Sequence, residues 1–233
     1  MPNLDLVVFD IAGTLIQDAG FVFTAFRAAL QEAGGAITPE QLQQWRGASK
    51  REVLQAQLAQ HSGESAEAIT ARLQRSEEAF RASLQASLAQ SGVRLITGVE
   101  ETFAWLRAHN IKIALNTGFD RIVMEAIIHA AGWKDKVLDA AVCSDDVAYG
   151  RPAPYMIFRA MEATSVMNVR RVIAIGDTIN DLFSGHNAGA GGVIGVLTGS
   201  HDREQLQSAP HTHIIASVAG LPRVIEEAFR LGR

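Results

Sequence analysis

The hydrophobic pattern divides the chain into three stretches. Leu4 to Phe9 is a short apolar run that ends at Asp10, the pattern of a parallel strand buried on both faces. After Gly13-Thr14 the period changes. Phe21 to Ala33 is amphipathic and stops at Gly34-Gly35, which predicts a helix with a glycine end. Thr38-Pro39-Glu40-Gln41 has the form of a helix start, with a cap, a proline at the first position and Gln three residues after Thr. Ser49-Lys50-Arg51-Glu52 repeats the Ser-x-x-Glu signature, and residues 65–90, rich in Ala, Gln, Glu and Leu, predict a long helix ending near Gly92. Beyond residue 95 strands and helices alternate. Thr97-Gly98-Val99-Glu100 is expected to cap a helix running to His109. Strands follow at 111–116, 140–143, 171–175, 192–197 and 212–215, with helices at 121–131, 155–163, 181–188 and 221–231 between and after them.

Repeated strand–helix units predict a doubly wound α/β fold: a Rossmann-like parallel sheet with helices on both faces. The helical stretch interrupts this order after the first strand. It is therefore expected to be an inserted cap domain, residues 17–95, between the two parts of the core, 1–16 and 96–233. A chain of 233 residues, 48% of them hydrophobic, can bury a core of that size. The net charge of −4 does not predict a nucleic-acid surface. The N-terminus lacks the features of a secretory leader and no apolar run reaches spanning length, so a cytoplasmic protein with no membrane partner is expected. The single cysteine, Cys143, sits in the apolar run Ala-Ala-Val-Cys and reads as a buried thiol.

In open parallel sheets ligands bind beyond the carboxyl ends of the strands, and here those ends carry a consistent chemistry. The first strand ends in Asp10-Ile11-Ala12-Gly13-Thr14, the second core strand in Asn116-Thr117-Gly118-Phe119, and the fourth in Gly176-Asp177-Thr178, with Asp181 a turn later. Arg151 lies in the loop after the third. Asp10 and Asp177 can share a hard cation such as Mg²⁺, with the backbone carbonyl of Ala12 as a further ligand and Asp181 as a supporting carboxylate. Thr117 and turn N–H groups suit phosphoryl oxygens, and Arg151 offers them a fixed cationic fork. Asp10 is then a carboxylate nucleophile. Other signals are weaker. Gly189-Ala190-Gly191-Gly192 has its elements in the wrong order for a dinucleotide loop. His201, His211 and His213 are expected to be solvated. Phe21, Phe23 and Phe26 fit either a pocket wall or simple packing, and Trp45, Trp105 and Trp133 are expected to pack.

This set of four strand-end motifs resembles the haloacid dehalogenase superfamily over essentially the whole chain. Within it, Ala12 in place of a second acid, Arg151 in place of lysine, and the stretch Ser144-Asp145-Asp146-Val147 leading to Gly150-Arg151-Pro152 resemble the phosphonatases, phosphonoacetaldehyde hydrolase and its close relatives. The resemblance implies Mg²⁺, an aspartyl-phosphate on Asp10 and a cap lysine three residues after a glycine, which Gly47-Ala48-Ser49-Lys50 matches. It also implies substrate contacts from Thr14, Arg46, Gly47, Gly118 and Phe119, a small phosphonate or phosphate substrate, and a homodimer formed through the cap. The chain departs from the phosphonatase pattern at Gly20, Arg46, Val53 and Phe119, where cysteine, methionine, histidine and tyrosine are usual. Arg46 suggests a substrate with another anionic group.

Ala12 and Lys50 have a common chemical explanation. A phosphate ester needs its leaving alkoxide protonated, a task normally given to the missing second acid and worth about 10²–10⁴-fold. A phosphonate must instead release a carbanion, which an iminium formed between an amine and a neighbouring aldehyde stabilises. Lys50 in a first helical turn sits where the helix dipole disfavours an ammonium, and so favours the amine that attacks a carbonyl. It is also one of only four lysines in a chain that otherwise uses arginine. Slow hydrolysis of small phosphate monoesters, as in a phosphoglycolate-phosphatase-like enzyme, and an inert phosphate-binding protein are the alternative expectations.

Overall fold

The computed structural model describes residues 4–18, 20–34, 50–58, 65–133 and 137–229. The elements in chain order are β1 (Leu6–Phe9), α1 (Phe21–Glu32), α2 (Lys50–Leu58), α3 (Ala66–Ser91), α4 (Val99–Ala108), β2 (Lys112–Asn116), α5 (Arg121–Ala130), β3 (Ala140–Val142), α6 (Tyr155–Ala163), β4 (Val172–Gly176), α7 (Ile179–Ala188), β5 (Gly192–Val196), α8 (Arg203–Gln207), β6 (His213–Ile215) and α9 (Leu221–Ala228). All six strands are parallel in the order β3-β2-β1-β4-β5-β6. The chain winds outward from β1 first to one side and then to the other, which opens a crevice where the order reverses.

Side chains of β1 explain the two layers. Val7 and Phe9 point into a cluster with Phe103 and Leu106 of α4, Val123 and Ile127 of α5, and Val224 and Ile225 of α9. Leu6 and Val8 point the other way, onto Met156, Ile157 and Ala160 of α6. Both faces being covered, every residue of β1, β4 and β5 is buried, which is why these segments read as apolar runs and not as alternating ones.

Helices α1 to α3 leave the sheet after β1 and return before α4. The two passages lie side by side: the Gln17 N–H donates to Arg94 C=O at 2.9 Å, the Ile96 N–H donates to Leu15 C=O at 2.9 Å, and Ile16 bridges Leu95. α1 packs along α3, with Phe26 edge-on to Phe80 at 6.4 Å. Phe80 in turn meets Phe119, beyond β2, at 6.3 Å. Val53, Leu54, Phe80 and Leu84 therefore belong to the same apolar cluster as Phe9 and Ile11. Of the three phenylalanines of α1, Phe26 is buried in this packing, Phe21 lies partly buried against the same cluster, and Phe23 is exposed.

Two sequence expectations need correction. Thr97 does not cap α4: the N-cap is Gly98, at φ +92° and without a side-chain hydrogen bond. A Cβ on Gly98 would stand 2.5 Å from the Ala219 methyl, so the close approach of the turn before α9 requires glycine there. α8 went unread because it is only five residues long, held by reciprocal capping between Asp202 and Gln205. The predicted start at Thr38 and Trp45 lie outside the described residues. Among those described, no helix is long and apolar enough to cross a membrane.

Candidate active site

Strand register assembles the site. Phe9 pairs with Leu115 of β2 and Ile175 of β4, so the residues just past these three central strands share one edge of the sheet. Asp10 follows β1 and its N–H donates to Ile175 C=O at 2.9 Å; Asp177 follows β4; Thr117 follows β2 and its N–H donates to Val142 C=O at 3.0 Å. Carboxylate oxygens of Asp10, Asp177 and Asp181 lie within 4.8 Å of one another, and all three residues are buried.

One guanidinium faces this cluster. Arg151 Nη1 donates to Asp10 Oδ1 at 2.7 Å and also to Asp181 Oδ1, and only 3% of the residue is exposed. Arg151 is therefore an interior residue, although it lies in a loop. Its Nε is buried with no partner among the described residues. Asp181 is fixed twice more, accepting from the Thr178 N–H at 3.0 Å and hydroxyl at 2.5 Å in the capping box that begins α7. Asp181 is thus a first-turn residue of α7 whose carboxylate also meets Arg151.

Asp177 is held from two sides. Thr14, wholly buried, donates its hydroxyl to Oδ1 at 3.3 Å, and the Ser200 N–H donates to Oδ2 at 2.6 Å. Glycine is required around it. Gly13 has φ +89°, and a Cβ there would lie 2.5 Å from Asp177 Oδ2; a Cβ on Gly199 would collide with the same oxygen. Burial, followed by the charge of Asp10, pushes the Asp177 carboxyl up to about 7. Among the described residues three carboxylates meet one guanidinium, so with all three ionised the buried space carries net negative charge, which a divalent cation would relieve. The donor set therefore fits a hard metal ion.

Thr117 is buried, and its hydroxyl accepts from the Phe119 N–H at 3.3 Å, closing the turn through Gly118. A small cleft opens beside this turn, lined by Leu54, Phe80 and Arg81 from the inserted helices and by Gly118, Asp120 and Ser144 from the strand-end loops. Lys50 is the first residue of α2. Its side chain lies outside the description, as do Arg46 and Gly47. Ala12 is half-buried in the turn after Asp10.

The segment after β5 was missed in the sequence. His201, expected to be solvated, is 4% exposed: its ring Nδ1 accepts from the Ile179 N–H at 3.0 Å and its backbone N–H donates to the Asp177 C=O at 3.3 Å. The polar loop folds back because it supplies acceptors and donors to the start of α7. Gly199-Ser200 beyond a strand end was the available signal.

A family model described as haloacid dehalogenase-like hydrolase matches residues 4–189, which carry Asp10, Thr117, Arg151, Asp177 and Asp181. The chain belongs to this family. A phosphonoacetaldehyde hydrolase from Parabacteroides distasonis is 30% identical to this hydrolase, over 97% of each chain. Among solved structures, a phosphonoacetaldehyde hydrolase-like protein from Oleispira antarctica superposes with a TM-score of 0.82 at 25% identity, covering 98% of this chain and 93% of that one. A predicted phosphoglycolate phosphatase from Haemophilus somnus superposes at 0.75 with 21% identity, covering 96% and 99%, a likeness of fold. The family match and the curated relative mark this haloacid dehalogenase-like chain as an enzyme, a hydrolase.

Proposed function

We propose that this hydrolase cleaves the carbon–phosphorus bond of phosphonoacetaldehyde or a related 2-oxo phosphonate, with Asp10 as nucleophile and Lys50 as imine former. The observation that carries the reading is the pairing of a buried, arginine-held Asp10 with a methyl group, Ala12, where a general acid would otherwise stand two residues on. The name of the Parabacteroides distasonis relative supports the same substrate class.

The proposed chemistry follows from these residues. The Lys50 amine condenses with the substrate aldehyde, releasing water and giving an iminium. An Asp10 carboxylate oxygen forms a bond to phosphorus as the phosphorus–carbon bond breaks. The electron pair of that bond moves into the iminium, leaving an enamine, so no acid is needed beside the nucleophile. The enamine takes up a proton at carbon, and water hydrolyses the resulting imine to acetaldehyde and free Lys50. A second water cleaves the aspartyl-phosphate to inorganic phosphate and Asp10.

Arg151, through its unpartnered Nε, and Thr117 with the N–H groups of its turn are the groups proposed to hold the phosphoryl oxygens. Mg²⁺ would be held by Asp10, the Ala12 carbonyl and Asp177, with Asp181 supporting. When bound it neutralises phosphoryl charge so that an anionic nucleophile can approach. The helices between residues 17 and 95 act as the cap that excludes water and carries Lys50.

The test is a panel of phosphonoacetaldehyde against small phosphate monoesters, with wild type and Lys50→Arg side by side. Phosphonate turnover that survives Lys50→Arg unchanged rejects the imine. Borohydride trapping with peptide mapping should place a reduced adduct on Lys50. A wild type that prefers monoesters moves the assignment to a phosphatase.

A further inference from the structure

Helix α2, which begins at Lys50, touches the loop that carries Arg151. Glu52 Oε1 accepts the Gly150 N–H at 2.6 Å, a contact between residues 98 apart in sequence. Gly150 is buried and is joined directly to Arg151, whose Nη1 holds both Asp10 and Asp181. The downstream half of this loop is tied to α7: Asn187 Nδ2 donates to Pro152 C=O at 2.9 Å and the Ser184 hydroxyl donates to Ala153 C=O at 2.9 Å. The upstream side behaves differently. Tyr149 is 64% exposed, and the acceptor for the Gly150 N–H is supplied by the inserted helix and not by the core. The peptide that sets the direction of Arg151 is thus clamped between α7 on one side and Glu52 on the other.

A parallel bridge supports the same logic on the neighbouring loop. Arg81 of α3 donates through Nε to Asp120 Oδ2 at 2.6 Å, three residues beyond Thr117. The insertion therefore grips both loops that the proposed phosphoryl site depends on, each through a carboxylate. Glu52 stands on the first turn of α2, two residues after Lys50, so the seating that makes the Gly150 bond also fixes the start of the helix bearing the lysine.

We propose that Glu52 is a positioning residue that couples seating of the inserted helices to the aim of Arg151 at Asp10. The proposal rests on the reading of Asp10 and Arg151 as the phosphoryl site. A carboxylate accepting a buried backbone N–H is a strong, directional contact, and its loss is expected to cost roughly 10–100-fold in activity or ligand affinity, by analogy with the hydrogen bonds that orient metal ligands.

The experiment compares Glu52→Ala, Glu52→Met and Glu52→Gln with wild type, with melting temperature recorded for each. Methionine keeps the length and helix propensity but offers no oxygen, so it serves if the alanine variant fails to fold. Glutamine keeps an acceptor for the Gly150 N–H. Two readouts are used: kcat and KM on phosphonoacetaldehyde, and binding of inorganic phosphate by calorimetry. Glu52→Ala and Glu52→Met should lower kcat and weaken phosphate binding about 10–100-fold with the fold intact, and Glu52→Gln should recover most of both. Phosphate affinity and kcat near wild type in Glu52→Met, or a glutamine variant as impaired as methionine, overturns the proposal. If wild type fails to turn over phosphonoacetaldehyde, the substrate assignment falls, and the phosphate-affinity series still decides the role of Glu52.

Discussion

Arg151 and Asp10 are 141 residues apart in the chain and 2.7 Å apart in the fold. Their ion pair is almost wholly shielded from water and shares the guanidinium nitrogen with Asp181. A cation so placed fixes the orientation of the Asp10 carboxylate and offsets part of the charge of three buried carboxylates.

Removing it should be expensive. Arg151→Met leaves Asp10 and Asp181 buried without their cation, and breaking such a pair typically costs about 3–5 kcal/mol. The expected outcome is a lower urea midpoint together with loss of detectable turnover. Arg151→Lys should recover stability better than activity, because an ammonium restores the charge but not the fork. Equal recovery of both would count against a phosphoryl-binding role.

The Asp177 carboxyl has a direction that calorimetry can check. Its folded value, raised to about 7 by burial and by Asp10, lies above that of an unfolded aspartate, so the folded state binds the extra proton. The contribution to stability is present below about pH 4 and is lost as pH rises towards 7. In EDTA the melting temperature of wild type relative to Asp177→Asn should therefore fall between pH 5 and pH 8. Added Mg²⁺ should raise it more at pH 8 than at pH 5.5, where protons compete. A wild type and variant that change in parallel across this range would contradict the assignment.

Gly13 tests the crowding around the same carboxylate. Gly13→Ala adds a Cβ 2.5 Å from Asp177 Oδ2 at a backbone φ of +89°. A non-glycine residue in such a conformation costs about 1–3 kcal/mol. The variant should melt lower and bind Mg²⁺ more weakly by isothermal titration. Gly132→Ala, also at positive φ but with open space around it, should lose stability and leave Mg²⁺ binding intact.

Cys143 is buried just past β3, and burial pushes its thiol up to about 11. Iodoacetamide at pH 8 should leave it unmodified in the folded protein and alkylate it once urea is added. Mass spectrometry of the intact protein reads both states, and rapid alkylation of the folded form would show that this end of the sheet opens.

Much of the architecture was legible because it depends on local order. The apolar run before Asp10, the amphipathic period of Phe21 to Ala33 and the limits of helix 155–163 follow from side chains within a few positions of one another. The strand-end rule then named Asp10, Thr117, Arg151 and Asp177 as neighbours, since parallel strands bring their carboxyl ends to one edge whatever lies between them. Where the rule was applied too narrowly it missed Ser200, which reaches Asp177 from the end of β5.

The sequence by itself determined most element types and the chemistry available at the strand ends. Tertiary structure alone decided the partners: that Arg151 joins Asp10 to Asp181, that His201 is enclosed and caps α7, and that Glu52 reaches Gly150. Periodicity records which face of an element is apolar. Contacts across 22, 98 or 141 residues depend on strand order and on how the inserted helices settle on the sheet, which no local pattern encodes.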